Sequence, residues 1–564
     1  MKGFFLKKES VLLASVLLTA CGGSSSDSST TSTTSTTTIS SSCSLESSTV
    51  TISGEINYER VPFSATATNG LDYNNIETLP VRGAVIQALV DGCVLAEGVT
   101  SSTGAYSLDV NPDTDIQIRV QAKIESTEGA IYDFEVRDNT NDNGLYVLDG
   151  SSTDSGTSNS TRNLTASTGW GGTSYTSDRA SAPFAILDSV YDSVMKVVAV
   201  DADVEMDDAD LFLSENNTSA SGDTSSGEIT TSHYSNDEIY ILGHEDNDTD
   251  EFDKHVIIHE WGHYFEDNLS RSDSIGGSHS DGDLLDMRVA MGEGFGNALS
   301  GMVTDDPIYR DSYGATQSTD FDNDVDDNSN TNPGWFSEGS VQSILYDLYD
   351  ADADTNDAVN LGFEGIYNAM ASTDYINQST LTSLFSIIDE INVLNPGETG
   401  NIDALVTAQT EDANLGIDSV ADKYGTGESH GAYAALSGDI LPVYTAIEDD
   451  GAVVTVCSHN DYKEYNGVEV RNFLNLNVSS AGSHDILVDY SSGDNASTNT
   501  DPDIYGYLKG EIVMSGESAT AGQESGSMTL ESGEYILEVF DYYNTDGNAG
   551  TGGSVCFDVS VTAS

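Results

Sequence analysis

His259-Glu260-Trp261-Gly262-His263 places two imidazoles four residues apart. On an α-helix that spacing sets them one turn apart on one face, where both can hold a single Zn²⁺. Glu260, beside the first histidine, flanks such an ion without ligating it and can take a proton from a water that the metal activates. Phe252, Val256, Ile257, Ile258, Trp261, Tyr264 and Phe265 make the segment 250–269 apolar on nearly every side. A helix of that kind is buried between two layers, and its histidines need partners that a shared metal would supply. Thr249 or Asp250 is placed to cap its start, with Glu251 and Asp253 in its first turn.

Three protein ligands leave a fourth position open for chemistry. Glu293 is the candidate for the third, in Met291-Gly292-Glu293-Gly294-Phe295-Gly296-Asn297 on a second helix. Each glycine inside a helix costs roughly 1 kcal/mol. Three of them make sense where this helix must approach the first closely and bring the Glu293 carboxylate to the metal. Asn297, one turn on, can accept a hydrogen bond from the far nitrogen of a ligating histidine and fix its tautomer. Asp283 and Asp286 are rival acids for the third position. The oxyanion of a tetrahedral intermediate needs a further donor. His279, in a Gly-Ser-His-Ser loop, and His430, in Ser-His-Gly-Ala-Tyr, are the catalytic candidates, with Tyr264, Tyr309 and Tyr313 behind them. Glu338 reads as an acid near the cap of another helix.

HEWGH followed by MGEGFGNA resembles the gluzincin metallopeptidases, and within them the fungalysin-like and thermolysin-like groups. The resemblance covers Asp250 to Val303. It implies zinc at His259, His263 and Glu293 with Glu260 as general base. The chain departs from those groups at Asn297, where they carry Asp, and in a longer separation of His263 from Glu293, so no substrate preference carries over. The metzincin pattern fails, because Glu266 and Leu269 stand where it requires Gly and His.

Helical spacing runs over 182–200, 250–269, 284–304, 335–350, 357–371 and 379–393, with strand patterns at Leu211–Leu213 and Glu238–Leu242. This is expected to be a central, helix-rich α+β domain over 175–445. Residues 45–165 alternate in short runs broken by Gly, Asn and Asp turns, the pattern of a β-sandwich. Pro80-Val81-Arg82-Gly83-Ala84 and Gly104-Ala105-Tyr106 resemble the carboxypeptidase-regulatory-like sandwich. Ser151 to Ser174 reads as a polar linker. Residues 446–564 alternate again, and Asp503–Leu508 with Gly533–Val539 resemble the bacterial prepeptidase C-terminal domain, a second sandwich.

The first twenty residues read as an export signal: Lys2, Lys7 and Lys8 precede a short apolar run, Val11–Leu18, well below the about 20 residues of a membrane span. Leu18-Thr19-Ala20-Cys21-Gly22 resembles a bacterial lipobox, which implies lipidation of Cys21 and a membrane anchor. Gly22 resembles the outer-membrane sorting pattern. A Ser/Thr-rich tether follows through residue 44. Cys43, Cys93, Cys457 and Cys556 remain in an oxidising compartment, where four cysteines allow three pairings. Proximity in sequence favours Cys43–Cys93 and Cys457–Cys556.

The chain has 564 residues, 37% of them hydrophobic, enough for several domains with real cores. Against 19 Lys+Arg stand 94 Asp+Glu, a formal charge of -75. That field repels phosphate backbones and excludes nucleic acid as a partner. Asp246-x-Asp248-x-Asp250 and Asp320-x-Asp322-x-Asp324 offer hard oxygen ligands for structural Ca²⁺, although neither is an EF-hand. The reading is therefore a lipid-anchored zinc metallopeptidase of the cell envelope acting on protein or peptide. Its alternative is a surface binding or adhesion lipoprotein in which the zincin-like domain is inactive or holds a structural metal.

Overall fold

The computed structural model describes residues 43–65, 70–245, 247–280, 282–327, 332–350, 358–409, 422–425, 442–494, 497–545 and 553–564. The export signal, Cys21, the tether up to residue 42, Asp246 and His430 lie outside the described residues. Among the described residues no helix is long and apolar enough to cross a membrane.

The strand Val50–Arg60 alternates buried and half-buried positions, with Ile52, Ile56 and Tyr58 facing inward. It pairs antiparallel with Glu77–Pro80 and Ala105–Val110. Its other partners, Ser160–Thr161 and Leu164–Ala166, run parallel to it. The expected linker at 151–174 is thus partly strand. Its polar side chains hid this, because what it contributes is main-chain pairing, with Ile56 opposite Leu164.

A second sheet is built on Ala84–Val90, flanked by Cys93–Val99 and Asp115–Ser126. It continues through Tyr132–Asp138 into Ala209–Leu213, Glu238–Ile241 and His233–Ser235. The first of these junctions is parallel, with Val136 opposite Leu211. The expected boundary between a sandwich ending at 165 and a helical domain starting at 175 therefore does not separate two independent cores. One hydrophobic core runs from Val50 through the helices to Tyr444 and beyond. The helix α1 (Ala182–Val198) explains the fusion. It is buried along most of its length, and Asp188 on it accepts from Tyr58 Oη at 2.8 Å and from Arg82 Nε at 2.5 Å.

Four more helices stack beyond it: α2 (Lys254–Leu269), α3 (Met287–Thr304), α4 (Glu338–Tyr349) and α5 (Gly362–Met370). They fall close to the ranges that periodicity predicts. The start of α2 does not. Asp253 stands at the N-cap position, but its carboxylate accepts from Ser312 N at 2.6 Å and from the Ser312 hydroxyl instead of a helix N–H. Glu251 is fully buried and pairs with Arg179 Nη1 at 3.1 Å. Glu251 and Asp253, expected in the first turn, are occupied by tertiary contacts before the helix begins at Lys254.

The C-terminal residues form two packed sheets. Five strands run in the order Tyr444–Glu448, Arg471–Val478, Gly533–Asp541, Pro502–Leu508 and Glu511–Gly516. Four run as Asp450–Ser458, Val555–Ala563, Gly482–Gly493 and Gln523–Leu530. Between them lies a separate core that includes Leu474, Val488, Val539, Phe557 and Val559, the layering of a β-sandwich. Cys43–Cys93 and Cys457–Cys556 are both bonded, the second pair directly opposite each other across two strands.

Candidate metal centre

α2 and α3 touch where both helices are stripped to glycine. A Cβ added at Gly262 would lie 3.0 Å from Gly296 Cα, and one at Gly296 would meet His259 Nδ1 at 2.9 Å. The other two glycines meet side chains, one on α4 and one on α2. At Gly294 a Cβ would come 2.5 Å from Val341 on α4, and at Gly292 3.2 Å from the Glu266 carboxylate. The close approach read from the glycine triplet is made at Gly296.

Across this contact three donor atoms converge. His259 Nε2 lies 3.1 Å from His263 Nε2 and 3.2 Å from Glu293 Oε2. His263 Nε2 lies 3.5 Å from the same carboxylate oxygen. Asp283 and Asp286, the rivals for the third position, are engaged elsewhere. Asp283 pairs with Lys463, and Asp286 caps α3 and grips Arg288 Nη2 at 2.8 Å.

The donor set suits a metal because the His259 tautomer is fixed from behind. His259 Nδ1 lies 2.8 Å from Asn297 Oδ1, and Asn297 Nδ2 donates to Gln342 Oε1 at 3.0 Å. The amide oxygen can only accept, so Nδ1 carries the proton and Nε2 presents a lone pair to the convergence point. Glu266, fully buried, stands behind His263 with an oxygen 3.6 Å from Nδ1, beyond hydrogen-bond distance. A ring whose lone pair faces another imidazole nitrogen and a carboxylate fits a shared cation, and two nitrogens with one oxygen suit Zn²⁺. His255, one turn before His259, turns away. Its Nδ1 meets Ser300 Oγ at 3.0 Å, and burial pushes its pKa down to about 4.

Replacing Asn297 by Ala frees the His259 ring and its tautomer. Metal affinity is expected to fall about 10–100-fold, the usual cost of losing such a partner. A competition titration against a zinc chelator measures it, and an unchanged affinity would show that Asn297 does not hold the ring.

Glu260 leaves the helix on the cleft side. Its Oε2 accepts the main-chain N–H of Tyr234 at 2.8 Å, which aims the carboxylate from the edge strand His233–Ser235. His259, Glu260, His263, Glu293, His279 and Tyr309 line one open cleft. His279 reaches it from the loop before α3, with Nε2 3.1 Å from Glu293 and Nδ1 2.7 Å from Glu338. Burial works against its charged form, but hydrogen bonds to those two carboxylates outweigh it and hold its pKa up to about 10. Glu338 is therefore both the first residue of α4 and the partner of His279, a pairing that local sequence does not carry. Of the tyrosines, Tyr309 sits with its ring 6.1 Å from that of His259. The Tyr264 hydroxyl donates to Asp207 O, and Tyr313 is exposed.

A family model described as the Mycolysin C-terminal domain matches residues 216–386. The mycolysin-like span contains α2, α3 and α4, and with them His259, Glu260, His263, His279, Glu293 and Glu338. No curated protein matches the chain. Among solved structures, the pre-peptidase C-terminal domain of collagenase from Bacillus anthracis is similar at 15% identity, over 21% of this chain and 94% of that one, with a TM-score of 0.16. PliG, a periplasmic lysozyme inhibitor from Aeromonas hydrophila, is similar at 11% identity, over 22% and 97%, with a TM-score of 0.15. CorA, a surface-associated copper-binding protein of Methylomicrobium album BG8, is similar at 12% identity, over 22% and 99%, with a TM-score of 0.16.

The mycolysin-like span does not stand alone. The loop carrying His279 is held by the connection between the strands Asp450–Ser458 and Arg471–Val478: Asn466 Nδ2 donates to Gly276 O at 3.1 Å and to Ser278 O at 3.2 Å, and the Tyr465 hydroxyl donates to Ile275 O at 3.0 Å. Val468 N donates to Leu284 O at 3.0 Å just before α3. None of these contacts is signalled by a motif, because each joins segments nearly two hundred residues apart.

Proposed function

We propose that the chain is a zinc metallopeptidase, anchored to the bacterial cell envelope through Cys21, that hydrolyses peptide bonds of proteins or peptides. The observation that carries the reading is the convergence of His259, His263 and Glu293 within 4.8 Å of one another beside Glu260, in an open cleft. The match of the surrounding span to a peptidase-related domain supports it.

A bound Zn²⁺ would supply a lowered water pKa and a polarised scissile carbonyl. The chain's own residues do the rest. Glu260, held by Tyr234 N–H, takes the proton of the attacking water and returns it to the leaving amine. His279, braced through Nδ1 by Glu338, is the cleft residue whose Nε2 would donate toward the oxygen that gains charge when Glu293 is engaged by the metal. His233–Ser235 is an edge strand, paired among the described residues only with Glu238–Ile241. Apart from Tyr234 N–H, which Glu260 accepts, the main-chain groups of its other side are placed for an extended peptide beside Glu260.

Purified protein with one equivalent of zinc is expected to digest casein, to stop on chelation and to resume when zinc is returned. Digestion that survives chelation overturns the reading. Zinc bound without any hydrolysis favours the binding lipoprotein instead. The same preparation should enter the detergent phase on phase separation, and a Cys21→Ser form should stay in the aqueous phase; equal partitioning removes the anchor.

A further inference from the structure

A second set of acids gathers on another wall of the same cleft. Asp248 opens the two-residue hairpin strand Asp248–Thr249, and Asp250 directly follows it, just before α2. Asp250 N continues the hairpin by donating to Leu242 O at 3.0 Å. Asp311 comes from the neighbouring strand Ile308–Tyr313. One oxygen from each of the three lies within 4.8 Å of the other two.

Asp250 is only 3% exposed. Its Oδ2 accepts from the Ser232 hydroxyl, which in turn accepts from Leu242 N at 2.9 Å. Its Oδ1 is buried and has no donor, and the same is true of Asp248 Oδ1 and Asp311 Oδ1. Asp253, close by, is satisfied by Ser312 and needs nothing more. Among the described residues no Lys, Arg or His forms an ion pair with Asp248, Asp250 or Asp311. Three converging oxygens without donors or counter-charge carry a desolvation cost that a bound cation removes.

We propose that Asp248, Asp250 and Asp311 bind one Ca²⁺. The ligand set is entirely carboxylate, which selects a hard cation over zinc. Three protein carboxylates from two chain segments, with solvent on the cleft side to complete the shell, suit the larger and more flexible coordination of calcium over the octahedron of magnesium. Asp311 is a ligand that the Asp-x-Asp-x-Asp spacing did not include. The second string, Asp320 to Asp324, runs along one strand and is not among the acids that gather. The ion would tie the strand leading into α2 to the strand carrying Tyr309, and so brace the cleft wall behind His259.

The test is calcium titration of the full, zinc-loaded chain, followed by calorimetry and thermal unfolding, with zinc content measured alongside. One calcium per chain is expected, with an unfolding temperature raised by several degrees at saturation and zinc content unchanged. Asp250→Asn and Asp311→Asn remove one charge each with little change of shape. Without calcium each should unfold no lower than wild type, because like-charge repulsion is relieved, and each should bind calcium at least 10-fold more weakly. The proposal is overturned if calcium leaves wild-type unfolding unmoved, if both variants keep the full shift, or if magnesium at the same concentration gives the same shift. None of these readouts depends on peptide hydrolysis, so failure here leaves the peptidase reading standing.

Discussion

Glu260→Gln is expected to lower kcat/KM for a peptide substrate by about 10²–10⁴-fold, the range associated with losing a positioned general base, while zinc remains bound at one per chain. The amide keeps the shape of the carboxylate and can still face Tyr234 N–H, which now lies 2.8 Å from Glu260 Oε2. The metal donors are untouched, because Glu260 is not among the three that converge. The split between retained zinc and lost turnover separates a base from a structural acid. A variant that hydrolyses peptide at the wild-type rate removes Glu260 from the mechanism, and one that loses zinc as well assigns it to the metal centre's framework.

The second large effect lies far from the cleft in sequence. Glu538, on the strand Gly533–Asp541, is fully buried and faces two arginines. It accepts from Arg288 at 3.2 Å through both oxygens and from Arg471 Nη1 at 2.8 Å, and the Tyr507 hydroxyl completes the set. Arg288 is the second residue of α3 and lies over the ring of Phe473, 5.0 Å from its centre. Glu538→Ala leaves two buried guanidinium groups with only Asp286 to balance them. Breaking a buried pair on one side costs about 3–5 kcal/mol, so denaturant unfolding should shift by that amount. A change below about 1 kcal/mol would show that the network relaxes freely.

The same group makes an acid-side prediction. Burial would raise the Glu538 pKa, but Arg288 and Arg471 outweigh it and hold it at about 2, below its ordinary value of 4.5. A carboxylate depressed on folding contributes stability that is complete above its unfolded pKa and is lost as pH falls toward the folded one. Wild type should therefore lose this contribution between about pH 4.5 and pH 2. Glu538→Ala should show a flatter dependence across that window.

The helices that carry the donors were legible because their apolar residues recur with helical period over long windows, and α2 and α3 are apolar on most faces. The convergence of His259, His263 and Glu293 was legible because the two histidines and Glu260 share one turn, and the glycines around Glu293 cost too much in a helix interior without a tight neighbour. What local pattern could not show is which distant strands meet. Tyr132–Asp138 pairs with Ala209–Leu213 across seventy residues, and nothing in either run encodes the partner. The start of α2 was misplaced for a related reason: Asp250, Glu251 and Asp253 have the chemistry of capping residues, but tertiary partners claim them. Glu338 and Asp311 likewise take their roles from neighbours that only the folded chain supplies.

The central claim is that His259, His263 and Glu293 hold one metal ion together, and metal analysis of the purified full chain, in wild type and in a His259→Ala/His263→Ala/Glu293→Ala form, tests it most directly. The account predicts about one zinc per wild-type chain and none above background in the triple variant. Equal zinc in both, or no zinc in wild type loaded with it and desalted, contradicts it.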